Sequence, residues 1–286
     1  MGLWVLLALL FSAGPALAHD TLSVRWEPRV VGQGDLVVVF LTRLPDAKTV
    51  EGSLAGRPLS FFPYGDGYAA LAGIDLEVKP GHAAWRIGVL DGRERSIKAS
   101  GKLQVKGRKF PLQHLTLPKE MVDLDAPTLK RVEEESERLR TLYATVTPER
   151  VWRGGFTKPV GVSDGGNGFG ARRIINGQPR APHAGVDYSA DPGTPVVASN
   201  AGRVALVAEY FFPGRLVVLD HGLGLYTLYF HLERAEVAEG DRVERGQPIG
   251  RVGSSGRATG PHLHFAAHLR QARVDPASLL RLRLPE

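Results

Sequence analysis

Residues 202–268 read GRVALVAE-YFFPG-RLVVLD-HGLG-LYTLYFH-LERAEVAEGDRVERGQ-PIGRV-GSSGRATGP-HLHFAAH. Five short runs, Gly202–Glu209, Arg215–Asp220, Leu225–His231, Pro248–Val252 and His262–His268, are separated by stretches with Gly-containing turns. Val, Leu and Tyr are frequent in them, as strands prefer. No helix-length periodic segment lies between them, whereas a parallel sheet needs crossovers that are usually helices. The pattern predicts an antiparallel β domain over residues 151–286.

Towards the N-terminus the period changes. Leu129, Val132, Leu139 and Tyr143 fall at helical spacing, Asp125 suits an N-cap and Pro127 suits the first turn. The spacing predicts an amphipathic helix within a helical linker over residues 109–150. Earlier still, Leu22–Trp26, Leu36–Leu41, Tyr68–Ile74, Ala83–Leu90 and Ser96–Val105 read as short strands, with Gly65-Asp66-Gly67 and Asp91-Gly92 as turns. Residues 19–108 are expected to form an immunoglobulin-like β-sandwich. The whole is then mainly β. Nothing in the sandwich clusters like a catalytic site, and His82 and His114 stand alone.

Residues 1–18 have the form of a secretory signal peptide: an apolar Leu3–Phe11 core, then Ala16-Leu17-Ala18 as a cleavage pattern. The apolar run is too short to span a bilayer. The expectation is export to the periplasm or medium as a soluble protein, with no membrane span.

The chain of 286 residues has 43% hydrophobic residues, enough for a real core, and no Cys. That excludes disulfides, thiolate metal sites and Cys nucleophiles, so any metal must be held by His, Asp or Glu. Lys and Arg exceed Asp and Glu by 36 to 30, a net charge of +6. This suits an anionic partner such as an acidic wall polymer, but there is no tight Lys/Arg run and no nucleic acid is expected.

Five of the nine histidines lie between His183 and His264. In His183-Ala184-Gly185-Val186-Asp187, positions four apart share a face of a helix or a strand, and Gly185 and Val186 favour the strand. In His262-Leu263-His264-Phe265, residues two apart point the same way, so Leu263 and Phe265 would face the core and both imidazoles an open surface. His231 falls where a strand meets a loop. A catalytic zinc takes three protein ligands and keeps one position open, so these residues suffice for a His, Asp, His set with two helpers.

Phe156 to Pro276 resembles the lysostaphin/LytM-type zinc endopeptidases, which cut peptide bridges in bacterial peptidoglycan. The resemblance is carried, in order, by Phe169-Gly170-Ala171-Arg172-Arg173, His183-Ala184-Gly185-Val186-Asp187, Gly193-Thr194-Pro195-Val196-Val197-Ala198, Leu219-Asp220-His221-Gly222, Tyr229-Phe230-His231-Leu232, Gly246-Gln247-Pro248-Ile249-Gly250 and Thr259-Gly260-Pro261-His262-Leu263-His264-Phe265. It implies one Zn2+ per chain, with His183, Asp187 and His264 as ligands and His231 and His262 as catalytic histidines. It also implies a zinc metalloendopeptidase domain over 151–286, acting on peptidoglycan peptides in cell-wall remodelling. Family members often carry Glu after the final Phe; here it is Ala266. Two rival functions are a non-catalytic module that activates other wall hydrolases, and a secreted protease acting on protein. With all the chemistry placed in the second domain, a chain starting near Val151 is expected to bind zinc by itself.

Overall fold

The computed structural model describes residues 22–44, 47–162 and 166–283. The signal-peptide expectation for residues 1–18 lies outside them.

The N-terminal region is a sandwich of two sheets. One orders its strands Ser23–Glu27, Leu36–Thr42, Gly67–Gly73 and Phe61–Tyr64. The other orders Val31–Gly32, Ser96–Lys106, Gly81–Asp91, Ala47–Leu54 and Arg57–Pro58. Asp91 closes the hairpin between two of these by accepting the backbone N–H groups of Arg93 and Arg95. Between the sheets lie Trp26, Val37, Val39 and Leu41 against Ile87, Val89, Leu103 and Val105. Ala47–Leu54 and Phe61–Tyr64 go beyond the strands that the pattern predicts: the first is mostly polar and partly exposed, and the second is interrupted by Pro63.

Leu36–Thr42 is apolar at nearly every position because both of its faces are buried. Val37, Val39 and Leu41 fill the sandwich. Leu36, Val38 and Phe40 point the other way, into a second cluster with Trp152, Phe156, Leu225, Leu269 and Val274. The sandwich and the C-terminal domain therefore share a hydrophobic core. Two ion pairs flank it: Arg273 grips Asp75 through two nitrogens, at 3.1 and 2.7 Å, and Arg108 meets Asp275 at 2.9 Å.

The linking stretch is helical only in part. Leu112–Leu115 is a strand pairing in parallel with Arg172–Ile175, and Lys119–Met121 is a single 3-10 turn. The helix proper is Ala126–Ala144, capped by Asp125, whose Oδ1 accepts the Thr128 N–H at 2.9 Å. Leu139, Leu142 and Tyr143 pack on Leu206, Leu216, Val218 and Leu228. Leu129, expected on this apolar face, is 47% exposed.

The C-terminal domain is built on a nine-stranded sheet whose pairings are all antiparallel. Its backbone order is Gly185–Ser189, His262–Leu269, Leu225–Ala235, Gly214–Asp220, Gly202–Tyr210 and Arg242–Val243. Leu263 and Phe265 are fully buried on one face with Val186 and Tyr188. Strand alternation then sends His262, His264 and Asp187 to the opposite face.

Candidate active site and metal centre

Asp187 and His264 are register partners on adjacent strands, and Phe230 is the partner of His264 on its other side. The Phe230 and His264 rings stack at 5.2 Å. His183 enters from the chain just before its strand. Its backbone is fixed by two hydrogen bonds: its N–H donates to Ala171 O at 2.9 Å, and its carbonyl accepts from the Gly170 N–H at 2.8 Å.

Three donor atoms converge. His183 Nε2 lies 2.8 Å from His264 Nδ1 and 3.1 Å from Asp187 Oδ1, and His264 Nδ1 lies 2.8 Å from Asp187 Oδ1. The His183 Nδ1–H donates to Gly168 O at 3.0 Å, which leaves the Nε2 lone pair free to coordinate. Two glycines make room. A Cβ on Gly168, whose φ is +89°, would stand 2.7 Å from His183 Nδ1, and one on Gly185 would stand 2.7 Å from His264 Nε2. The sequence marks both glycines, but only the folded chain shows which side chains they admit.

Burial works against the charged forms here. It holds the His264 imidazole down at about 4, although the Asp187 hydrogen bond pulls the other way. Burial alone would raise the Asp187 carboxyl. The adjoining His183 and His264 imidazoles outweigh it and hold the carboxyl well below the usual carboxylate range. Two imidazoles and one carboxylate, with no thiolate, match the donor set of a catalytic zinc site. Arg173 stands 3.7 Å from Asp187 Oδ2 on the side away from the cluster's shared Oδ1.

His231 and His262 sit beside this cluster, their rings 4.7 Å apart. The His231 Nδ1–H donates to Ser255 O and the His262 Nδ1–H to Gly260 O, each at 2.8 Å. Both Nε2 atoms are thereby left as acceptors. His231 has φ +62°, a left-handed conformation uncommon outside glycine, and regular pairing breaks just after it. Such local strain persists where neighbours over-determine it and is concentrated at functional sites. Burial, and then the charges of His264 and His262, hold His231 down at about 3, so it is neutral at pH 7.

The structure thus brings His183, Asp187, His231, His262 and His264 to one place. The other histidines are elsewhere. His221 is buried, with its ring nitrogens 2.7 Å from Ala201 O and from Thr227 Oγ1. His268 lies four residues along the strand from His264, against Tyr143. Ala266, where Glu is frequent in the family, is buried beside Leu228 in the packing under the helix. The Gly-rich stretch after residue 165 is a groove wall bonded to the site: the backbones of Asn167 and Asp187 exchange N–H to O bonds at 3.3 and 2.9 Å.

This geometry defines a class, a β domain with an inward His-Asp-His cluster and two further imidazoles at its mouth. Residues 181–276 match the model of Peptidase family M23, and they form a domain of that family. The peptidoglycan DD-endopeptidase ShyA of Vibrio cholerae is 42% identical over 95 residues, 33% of this chain and 22% of that protein. The DD-carboxypeptidase/endopeptidase Mpg of Neisseria meningitidis is 44% identical over 97 residues, 34% of this chain and 22% of that protein. The match therefore spans about a fifth of the length of these relatives. A crystal structure from Pseudomonas aeruginosa assigned to peptidase M23 aligns with a TM-score of 0.61 at 28% identity, over 87% of this chain and 94% of that one. That likeness extends beyond the M23 domain into the N-terminal region.

Proposed function

We propose that the protein is an exported zinc endopeptidase that hydrolyses peptide cross-links or stem peptides of peptidoglycan. The observation that carries this reading is the convergence of His183 Nε2, Asp187 Oδ1 and His264 Nδ1 within about 3 Å of one another, beside the paired rings of His231 and His262. Zinc held by these three residues would supply Lewis acidity towards a peptide carbonyl and lower the pKa of a water towards neutrality. The protein's own share is placement. Gly168 O fixes the His183 tautomer, and Ser255 O and Gly260 O aim the Nε2 atoms of His231 and His262 towards the reacting groups. One of these imidazoles accepts a proton at Nε2 from the attacking water and, so protonated, hands it to the leaving amine, while the other accepts a hydrogen bond from that water and orients it. The names of the curated relatives support peptidoglycan as the substrate. The complete ligand set favours an enzyme over a wall-binding module that has lost its chemistry.

The test is digestion of purified sacculi with zinc-loaded protein, with mass spectrometry of the fragments. Cross-linked muropeptides should fall and their uncrosslinked halves should rise, at one zinc per chain. Full zinc occupancy with an unchanged muropeptide profile would point to the binding module, and cleavage of casein alone to a general protease.

A further inference from the structure

We propose that Arg173, Arg180 and Arg257 form a carboxylate-binding subsite of the M23 groove, which selects peptides with a free carboxylate near the scissile bond. This rests on the peptidase reading of the same site.

The starting point is a hairpin. Arg172–Ile175 and Gln178–Arg180 pair antiparallel through an Asn176-Gly177 turn with φ values of +49° and +79°, the conformation a tight hairpin turn favours. In that register Arg173 and Arg180 are direct partners. Like charges directly opposite on a ladder are destabilising. Arg257, from the loop before His262, adds a third guanidinium. It and Arg180 donate to the carbonyls of consecutive residues, Met121 and Val122, which brings the two guanidiniums together.

Their polar contacts leave much of this charge unanswered. Arg173 Nε is buried with no hydrogen-bond partner among the described residues, and its guanidinium stands 3.7 Å from Asp187 Oδ2, a carboxylate whose Oδ1 is shared by His183 and His264. Arg180 Nη2 donates to Val122 O at 3.2 Å and to Gln178 Oε1 at 2.6 Å. Arg257 Nη1 donates to Met121 O at 3.4 Å, and its guanidinium lies 3.8 Å over the Phe212 ring. A guanidinium has five N–H donors, so most remain for a ligand. The nearby carboxylates are engaged: Asp123 accepts from Gln178, and Glu77 pairs with Arg273 at 2.8 Å. A cavity of about 440 Å³ lies beside the hairpin, lined by Phe110, Leu112, Arg172, Arg173 and Arg180, with Glu77, the partner of Arg273, at its wall. Paired guanidiniums suit a planar carboxylate, which they can grip with two parallel hydrogen bonds.

The carboxylate has two sources in wall-type peptides, a terminal one on the leaving side and an acidic side chain on the acyl side. Three probes separate them: diacetyl-L-Lys-D-Ala-D-Ala with its carboxylate free, the same peptide as carboxamide, and acetyl-D-Glu-D-Ala-D-Ala carboxamide. Binding is measured by calorimetry on the full metal-free chain, where no turnover intervenes, and cleavage on the zinc-loaded chain. At least one acidic probe should bind about 10-fold or more tighter than the neutral one, the worth of one or two charge-assisted hydrogen bonds. Which one gains identifies the side. Arg180→Gln and Arg257→Gln should erase the preference at unchanged zinc content, and raise KM for the acidic probe with kcat held within about twofold. Equal binding of all three probes to the unsubstituted chain would overturn the proposal, as would a preference that survives in both variants. A clear preference without cleavage of any probe would keep the subsite and sink the peptidase reading instead.

Discussion

Leu36–Thr42 and His262–Leu269 are both inner strands of antiparallel sheets, yet they use their faces differently. The first is apolar on both sides, one towards the sandwich and one towards the M23 domain. The second keeps Leu263, Phe265, Ala267 and Leu269 for packing and turns His262, His264 and His268 the other way. A strand that buries both faces joins layers and has no face left for chemistry. A strand with one apolar face is held rigidly by that face and can present imidazoles from the other, which is what a preorganised site needs. The two meet: Leu36, Val38 and Phe40 share a cluster with Ala267 and Leu269, so the sandwich buttresses the strand that carries the histidines.

The sharpest break in this comparison should come on the polar face. His264→Ala should lose both zinc and measurable cleavage, as should His183→Ala and Asp187→Ala. His262→Ala, two residues along the same face, should keep close to one zinc per chain and lose roughly 10²–10⁴-fold in kcat. His231→Ala should behave like His262→Ala. Metal analysis beside cleavage rates decides it. If His262→Ala sheds its zinc as fully as His264→Ala while still folded, the two roles are wrongly divided.

On the apolar side the expected effect is on stability. Leu71 faces the cluster shared by sandwich and M23 domain, so Leu71→Ala should cost about 2–5 kcal/mol. It should lower a single cooperative unfolding transition followed by both far-ultraviolet and tryptophan signals. A chain starting at Val151 would expose Trp152, Phe156, Leu225 and Leu269 and lose the Leu112–Leu115 strand, so it should aggregate rather than bind zinc cleanly. Two separate transitions, with Leu71→Ala moving only one, would show that the sandwich is an independent appendage after all.

Much of the fold and the site is legible in the sequence because it depends on local period. The alternation at His262–Phe265 is enough to put Leu263 and Phe265 inside and the imidazoles outside. The continuous run at Leu36–Leu41 signals a strand, but not that its second face meets a distant domain, because such a contact leaves no periodic mark of its own. The linker misleads for a related reason. Leu112–Leu115 is too short to stand out, and what makes it a strand is its partner at Arg172–Ile175, which lies far along the chain. Leu129 fits the helical spacing yet is 47% exposed, since the period fixes a face and not how much of it a neighbour covers. In the sequence Arg172 and Arg173 read as able either to meet a substrate carboxylate or to form a structural salt bridge, but that Arg180 stands opposite Arg173 shows only in the hairpin register.

The smallest effect concerns His268, which shares the polar face of the strand but lies over packing instead of over the site. Its ring lies 4.2 Å from that of Tyr143, and its Nδ1 is buried with no hydrogen-bond partner among the described residues. Burial first, with the charge of Arg273 next, holds it down at about 4. Unfolded, it would titrate near about 6.5. The unfolded chain therefore binds a proton that the folded chain refuses between those values, so stability present above pH 6.5 is lost as the pH falls towards 4. His268→Phe keeps an aromatic ring against Tyr143 and removes that proton. At pH 7 it should change stability by only about 1 kcal/mol, the scale of a modest change of core volume. In urea titrations of the metal-free protein, its loss of stability between pH 6.5 and 4 should be shallower than that of the parent. His264 and His231, held at about 4 and 3, keep their own contributions in both chains. Parallel curves for the two proteins would mean that His268 takes up its proton in the folded state as readily as in the unfolded one. The far end of the strand would then be open to water, and the distinction between its packed and working stretches would fail there.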